Sequence, residues 1–130
     1  MTPSDFSRAE VGKELRERAQ GAMAPRLQEA LGSLDPELAE IADDFIFGRV
    51  WTGEGIAFEE RMLVAITALA AGDHQEQLRN YLHGALQAGI EAEKLHEALK
   101  MLVVYCGFPT ALHALGTFTK VRDAHEKHLG

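Results

Sequence analysis

The chain has 130 residues, a formal charge of −7 and a single cysteine, Cys106. That length suits one domain that buries a core without disulfide staples, and a lone thiol excludes both an intramolecular disulfide and a CxxC redox pair. The acidic balance excludes a nucleic-acid partner, because no excess of Lys and Arg exists to displace phosphate counterions.

The N-terminal MTPSDFSRAE lacks the apolar core of a signal peptide and carries charges early. Further along, residues 6–21 place Val11, Leu15 and Ala19 at spacings of four, with Ser4 or Asp5 available as N-cap, and read as a helix. Gly21 and Pro25 predict a break, followed by a short amphipathic piece over residues 26–31. Asp35-Pro36 then supplies an N-cap and a proline at the first helical position, opening a helix through Leu38, Ile41 and Phe45. Three glycines make residues 48–55 a loop.

A strongly apolar helix is expected over residues 57–71. Its apolar residues cover most of the circumference, so it is expected to be central and buried. Its longest apolar-rich run, residues 62–71, is about half of what crossing a bilayer takes, so no membrane partner and a cytoplasmic location are expected. The next helix, residues 74–88, puts Leu78, Tyr81, Leu82, Ala85 and Leu86 on one face, with Gly89 just past its end. Glu91 and Glu93 open a helix carrying Leu95, Leu99, Leu102 and Val103 toward Tyr105, broken at Gly107-Phe108-Pro109. A final helix over residues 110–125 presents Leu112, Leu115, Phe118 and Val121. No strand pattern occurs. The expectation is one all-α domain over residues 1–130, a bundle of about six helices, with loosely ordered tails near residues 1–10 and 126–130.

Three blocks carry more than helical periodicity. They are Phe45-Ile-Phe-Gly-Arg-Val-Trp51, with Ile56 and Arg61 beyond it; Gln77-Leu-Arg-Asn-Tyr-Leu-His-Gly-Ala-Leu-Gln-Ala-Gly89; and Tyr105-Cys-Gly-Phe-Pro109. In this order and spacing, over roughly residues 11–125, the chain resembles the carboxymuconolactone decarboxylase family, whose fold is similar to that of the alkylhydroperoxidases. The resemblance implies an all-helical protomer that forms a homo-oligomer, a trimer or hexamer, and takes a small-molecule substrate. It also implies removal of carbon dioxide from a carboxylated lactone in aromatic compound metabolism, without metal or organic cofactor. A thiol-dependent branch reduces peroxides through a CxxC pair. Against that pattern, Tyr81 stands where the decarboxylases usually carry a histidine, His83 where an arginine is common, and Arg49 where the tryptophan loop often has a glutamate. Met62, following Arg61, replaces a glutamate of the thiol branch.

Decarboxylation beside a carbonyl needs a group to hold the carboxylate, an electron sink and an acid to deliver the proton. Tyr81 is a candidate acid, or else a core-edge tyrosine with a satisfied hydroxyl. His83 is the second acid/base candidate. Two helical residues turn about 200°, so Tyr81 and His83 do not face one intrachain pocket. With Glu76, Asn80 and Gln87, His83 is placed on the polar face. Arg61 suits a bidentate carboxylate clamp, or an ion pair with Glu59 or Glu60. Glu60 is a candidate base, or simply an acid in a helix's first turn. Trp51 either walls a substrate pocket or packs, and Cys106 is a substrate contact or a small buried hydrophobe; His113 is near enough in sequence to approach it. The six histidines show no convincing ligand spacing, so no metal is expected. The working expectation is a cofactor-free lyase acting on a small carboxylated or carbonyl-bearing ring compound. Its alternatives are a single-cysteine antioxidant protein and a non-catalytic oligomeric ligand-binding scaffold.

Overall fold

The computed structural model describes residues 3–129, with side chains over residues 8–127. Every regular element among them is helical. α1 spans Pro3–Gln20, a 3₁₀ turn Gly21–Met23, α2 Ala24–Leu34, α3 Pro36–Ile41, a π-helical stretch Ala42–Val50, α4 Phe58–Ala71, α5 Gln75–Gln87, α6 Ala92–Lys100, α7 Leu102–Cys106 and α8 Phe108–Leu129. Helix thus extends into both stretches expected to be loose tails, residues 3–10 and 126–129. The chain forms two compact units, Met1–Phe58 and Glu59–Gly130.

In the first unit the expected break falls at Gly21, which takes φ +62° where α1 gives way to the 3₁₀ turn. The Asp35 cap forms as expected: its Oδ1 accepts from the Glu37 amide at 2.9 Å, with Pro36 at the start of α3. Two expectations are corrected here. Gly48 is not loop but lies inside the π-helical stretch, and the irregular connection begins at Trp51. The buried stripe of α1 is also not Val11–Leu15–Ala19; it is Gly12, Arg16 and Ala19, with Val11 exposed.

Both corrections have one cause. α1 packs against the π-helical stretch with its backbone almost in contact, because Gly12 and Gly48 have no side chains to hold the two apart. A Cβ on Gly12 would run into the Asp43 carbonyl oxygen and come within 2.8 Å of the Gly48 nitrogen. A Cβ on Gly48 would lie 2.8 Å from the Arg8 carbonyl oxygen. Small residues therefore line the contact, with Ala39, Ala42 and Phe47 also buried, while Leu38, Ile41 and Phe45 turn outward. Arg16, only 3% exposed, accompanies the crossing. Its Nη1 lies 2.9 Å from Asp43 Oδ1, and Gln28 Nε2 donates to the other carboxylate oxygen at 3.2 Å. The Arg16–Asp43 contact is a charge contact out of line for a hydrogen bond, and Arg16 Nε also makes none.

In the second unit α5 packs on α8, which also receives α6 and α7. The expected central role of α4 passes to α5. Only the Met62–Ile66–Ala70 stripe of α4 is buried and Val64 is exposed, whereas α5 buries Leu78, Asn80, Leu82, Gly84, Ala85 and Leu86. α8 meets α5 through a smaller-residue stripe than expected: Ala111, Ala114, Phe118 and Val121 are buried and Leu112 is exposed. The helix expected through residues 91–105 is interrupted at Met101. Gly107, at φ +89°, separates α7 from α8, and Pro109 sits in the first turn of the latter. No helix among the described residues is long and apolar enough to cross a membrane.

The glycine contact gives a sharp contrast. Gly12→Ala is expected to destabilise the fold by about 1–3 kcal/mol through overpacking. Gly32→Ala, in a helix with open space around its Cβ, is expected to stabilise it by up to about 1 kcal/mol. Denaturant titration followed by circular dichroism measures both, and equal effects would refute the close approach.

Candidate functional site

α5 positions the two acid/base candidates. Its C-terminus is fixed by a Schellman arrangement: the Gly89 amide donates to the Leu86 carbonyl at 3.1 Å and the Ile90 amide to the Ala85 carbonyl at 3.0 Å. Gly89 takes φ +92° as its place past the helix end requires, and Ile90 is buried. Tyr81 and His83 are both half-buried, two residues apart and hence on different sides of α5, and each is engaged in an interaction. Asn80 does not share a solvated polar face with His83 as expected; it is 8% exposed. Burial on several sides of α5 leaves the two rings at the margins of the packed region.

The remaining candidates lie on other elements. Glu60 and Arg61 stand in the first turn of α4, the first exposed and the second half-buried, and both make interactions. Glu59, one of the carboxylates considered for Arg61, is held by Lys94 at 3.2 Å. Cys106 is exposed, not buried, at the carbonyl end of α7. His113 does not serve Cys106: its Nδ1 is 2.9 Å from Asp73 Oδ1. Trp51 belongs to the first unit, half-buried between Phe47 at 5.2 Å and Phe58 at 6.1 Å, with the Arg18 guanidinium 3.9 Å over the Phe58 ring. These are packing contacts, with the geometry aromatic rings favour.

Sequence reasoning missed a polar cluster on the second unit. α4 also ends in a Schellman arrangement, with the His74 amide donating to the Leu69 carbonyl at 2.9 Å and the Asp73 amide to the Ala70 carbonyl at 3.1 Å. The left-handed position falls on Asp73, at φ +58°, and not on the adjacent Gly72. Gly72 is needed for another reason: a Cβ there would lie 2.8 Å from the His74 ring. Asp73 thereby presents its carboxylate to His113 and to Gln75, whose Nε2 donates at 2.8 Å. Among the described residues no third His, Cys, Asp or Glu joins this pair to make a metal-binding set. The available signal was the spacing of His113, Thr117 and Lys120, which repeats on one face of α8.

Comparison with known proteins gives these positions a context. The carboxymuconolactone decarboxylase family matches residues 36–120. This chain belongs to that family. The chain is 26% identical over 113 residues to a 4-carboxymuconolactone decarboxylase from Acinetobacter baylyi, covering 86% of this chain and 84% of that protein. It is 32% identical over 105 residues to peroxisomal protein 2 of Schizosaccharomyces pombe, covering 74% of this chain. It is 25% identical over 76 residues to a nitrosuccinic acid decarboxylase from Metarhizium robertsii, covering 58% of this chain. The chain spans about half the length of these two fungal relatives, 49% and 53% respectively. The all-helical fold agrees with the family, and two of these distant relatives are named as decarboxylases.

The packing of Trp51 is testable by stability alone. Trp51→Phe is expected to cost less than about 1.5 kcal/mol as a conservative aromatic swap. Trp51→Ala should cost about 2–3 kcal/mol, the half-buried share of a full aromatic truncation. Thermal and urea denaturation distinguish these values, and an Ala variant as stable as wild type would refute the packing role.

Proposed function

We propose that the chain is a cofactor-free decarboxylase or related lyase acting on a small carboxylated or carbonyl-bearing ring compound. The observation that carries this reading is the family membership, together with the decarboxylase names of two relatives, each denoting loss of carbon dioxide from a carboxylic acid. In the proposed step Arg61 holds the substrate carboxylate through its guanidinium, with Glu60 as a neighbouring base. The bond to the carboxyl carbon breaks, its electron pair passes into the conjugated carbonyl, and the enolate is protonated from Tyr81 or His83. Half-burial of Tyr81, His83 and Arg61 supports these roles, because a partly dehydrated donor interacts more strongly with developing charge. Cys106, exposed at the end of α7, would contact the substrate.

Purified protein is assayed against 4-carboxymuconolactone by carbon dioxide release, with Tyr81→Phe and His83→Ala in parallel. Loss of the true proton donor is expected to lower kcat by about 10²–10⁴-fold with the fold intact. Absence of turnover by folded wild type would refute the eponymous reaction and favour the scaffold reading.

The exposure of Cys106 favours one second reading, a single-cysteine antioxidant protein that needs an external thiol as reductant. Peroxide consumption that disappears in Cys106→Ser would establish it; consumption unchanged by that substitution would exclude it.

We also propose that the protomer self-associates. Met101, Val104, Tyr105, Phe108 and Leu112 are exposed along α7 and the start of α8, with Val104 and Tyr105 at 75% and 76%. An apolar run of this kind usually marks an interface. Light scattering should give a mass of several protomers for wild type and a lower one for Val104→Asp; a monomeric wild type would refute the assembly.

A further inference from the structure

The groove between the N-terminal half of α5 and the middle of α8 is a polar site separate from Tyr81, Arg61 and Cys106. It is an open groove of about 380 Å³, lined by half-buried Gln75 and Thr117 and by exposed Glu76, Arg79 and Lys120. A water's share of liquid volume is only ~30 Å³, so the space suits a small organic molecule. On α5 these residues lie on the side away from Tyr81, since Arg79 and Tyr81 are about 200° apart around the helix.

Two features say what would fill it. The first is charge. The chain is strongly acidic, yet Arg79 and Lys120 line one groove, and among the described residues neither side chain forms an ion pair or hydrogen bond within the chain. Glu76 lines the same groove without neutralising either of them. The second is a hydrogen-bond chain that fixes the wall. His113 Nδ1 meets Asp73 Oδ1 at 2.9 Å, and Gln75 Nε2 donates to the same oxygen at 2.8 Å. Thr117 Oγ1 then donates to Gln75 Oε1 at 2.5 Å. The orientation of Gln75 is set from both ends. The single hydroxyl proton of Thr117 is committed to Gln75, so toward the groove that oxygen can only accept. Asp73 ends its side of the chain in a left-handed conformation, at φ +58°, which aspartate adopts more readily than most non-glycine residues.

The groove therefore offers two uncommitted cations and two acceptors, the Thr117 hydroxyl oxygen and the Glu76 carboxylate. We propose that it binds a small hydroxycarboxylate, its carboxylate between Arg79 and Lys120 and its hydroxyl donating to Thr117. Arg79 supplies the planar fork that matches a carboxylate, and Lys120 a point charge beside it. A carboxylate without a hydroxyl satisfies the cations and leaves the acceptors unmatched. Glu76 and Arg79 share a face of α5 with His83, two turns and one turn before it, so the groove adjoins that candidate, while binding there is tested without turnover.

Isothermal titration with malate, succinate and inorganic phosphate at constant ionic strength tests the proposal. Malate should bind saturably at millimolar concentration, several-fold more tightly than succinate or phosphate. Arg79→Gln and Lys120→Gln should each weaken malate by about tenfold or more, as loss of a charge-assisted hydrogen bond does. Lys13→Gln, an exposed cation on α1, should leave malate binding unchanged. Thr117→Val should erase the preference of malate over succinate. Circular dichroism confirms that each variant is folded. No saturable binding, equal affinity for malate and succinate in the wild type, or equal weakening by Lys13→Gln would overturn the assignment.

Discussion

The apposition of α5 and α8 is the constraint on which the second unit depends. Leu78, Leu82 and Ala85 are fully buried on one helix, and Ala111, Ala114 and Phe118 on the other. Each large side chain removed from water contributes about 1.5–3 kcal/mol, so these few positions carry much of the unit's stability. Alanines on α8 bring the helices close, and the polar residues at the edge of the contact are brought close with them. Tyr81 and His83 owe their half-burial to the same arrangement, since α5 has several packed sides and little margin left.

The first unit solves a different packing problem. Its contact between α1 and the π-helical stretch is made by residues with almost no side chain, so hydrophobic area alone does not hold it. Close backbone approach supplies dispersion contacts, and the buried Arg16–Asp43 charge pair fixes how the two helices meet. The wider π turn belongs to this solution. It carries Gly48 into the contact while turning Phe45, Ile46 and Val50 outward.

Helix order, the Asp35 cap, the break at Gly21 and the Gly89 terminus were all legible, because each rests on local chemistry that a short window contains. The buried faces of α1, α3 and α8 were not. Periodicity ranks positions by hydrophobicity, and here small residues go inward while Val11, Leu38 and Leu112 stay outside. Close helix approach is decided by the partner's backbone, which no single helix reveals. The candidate site divides the same way. Tyr81, His83, Arg61 and Trp51 were marked by their place in family-like blocks, whereas the Asp73–His113 contact joins residues far apart in sequence through a left-handed aspartate.

The distribution of aromatic chromophores gives the two units separate optical signatures. The single tryptophan, Trp51, lies in the first unit among Phe47 and Phe58, and both tyrosines, Tyr81 and Tyr105, lie in the second. Indole emission is thus a private reporter of the N-terminal half, tyrosine absorbance reports the C-terminal half, and far-ultraviolet ellipticity sums the two. Coincident or separated transitions in these signals read out directly whether the protein unfolds in one cooperative step or two.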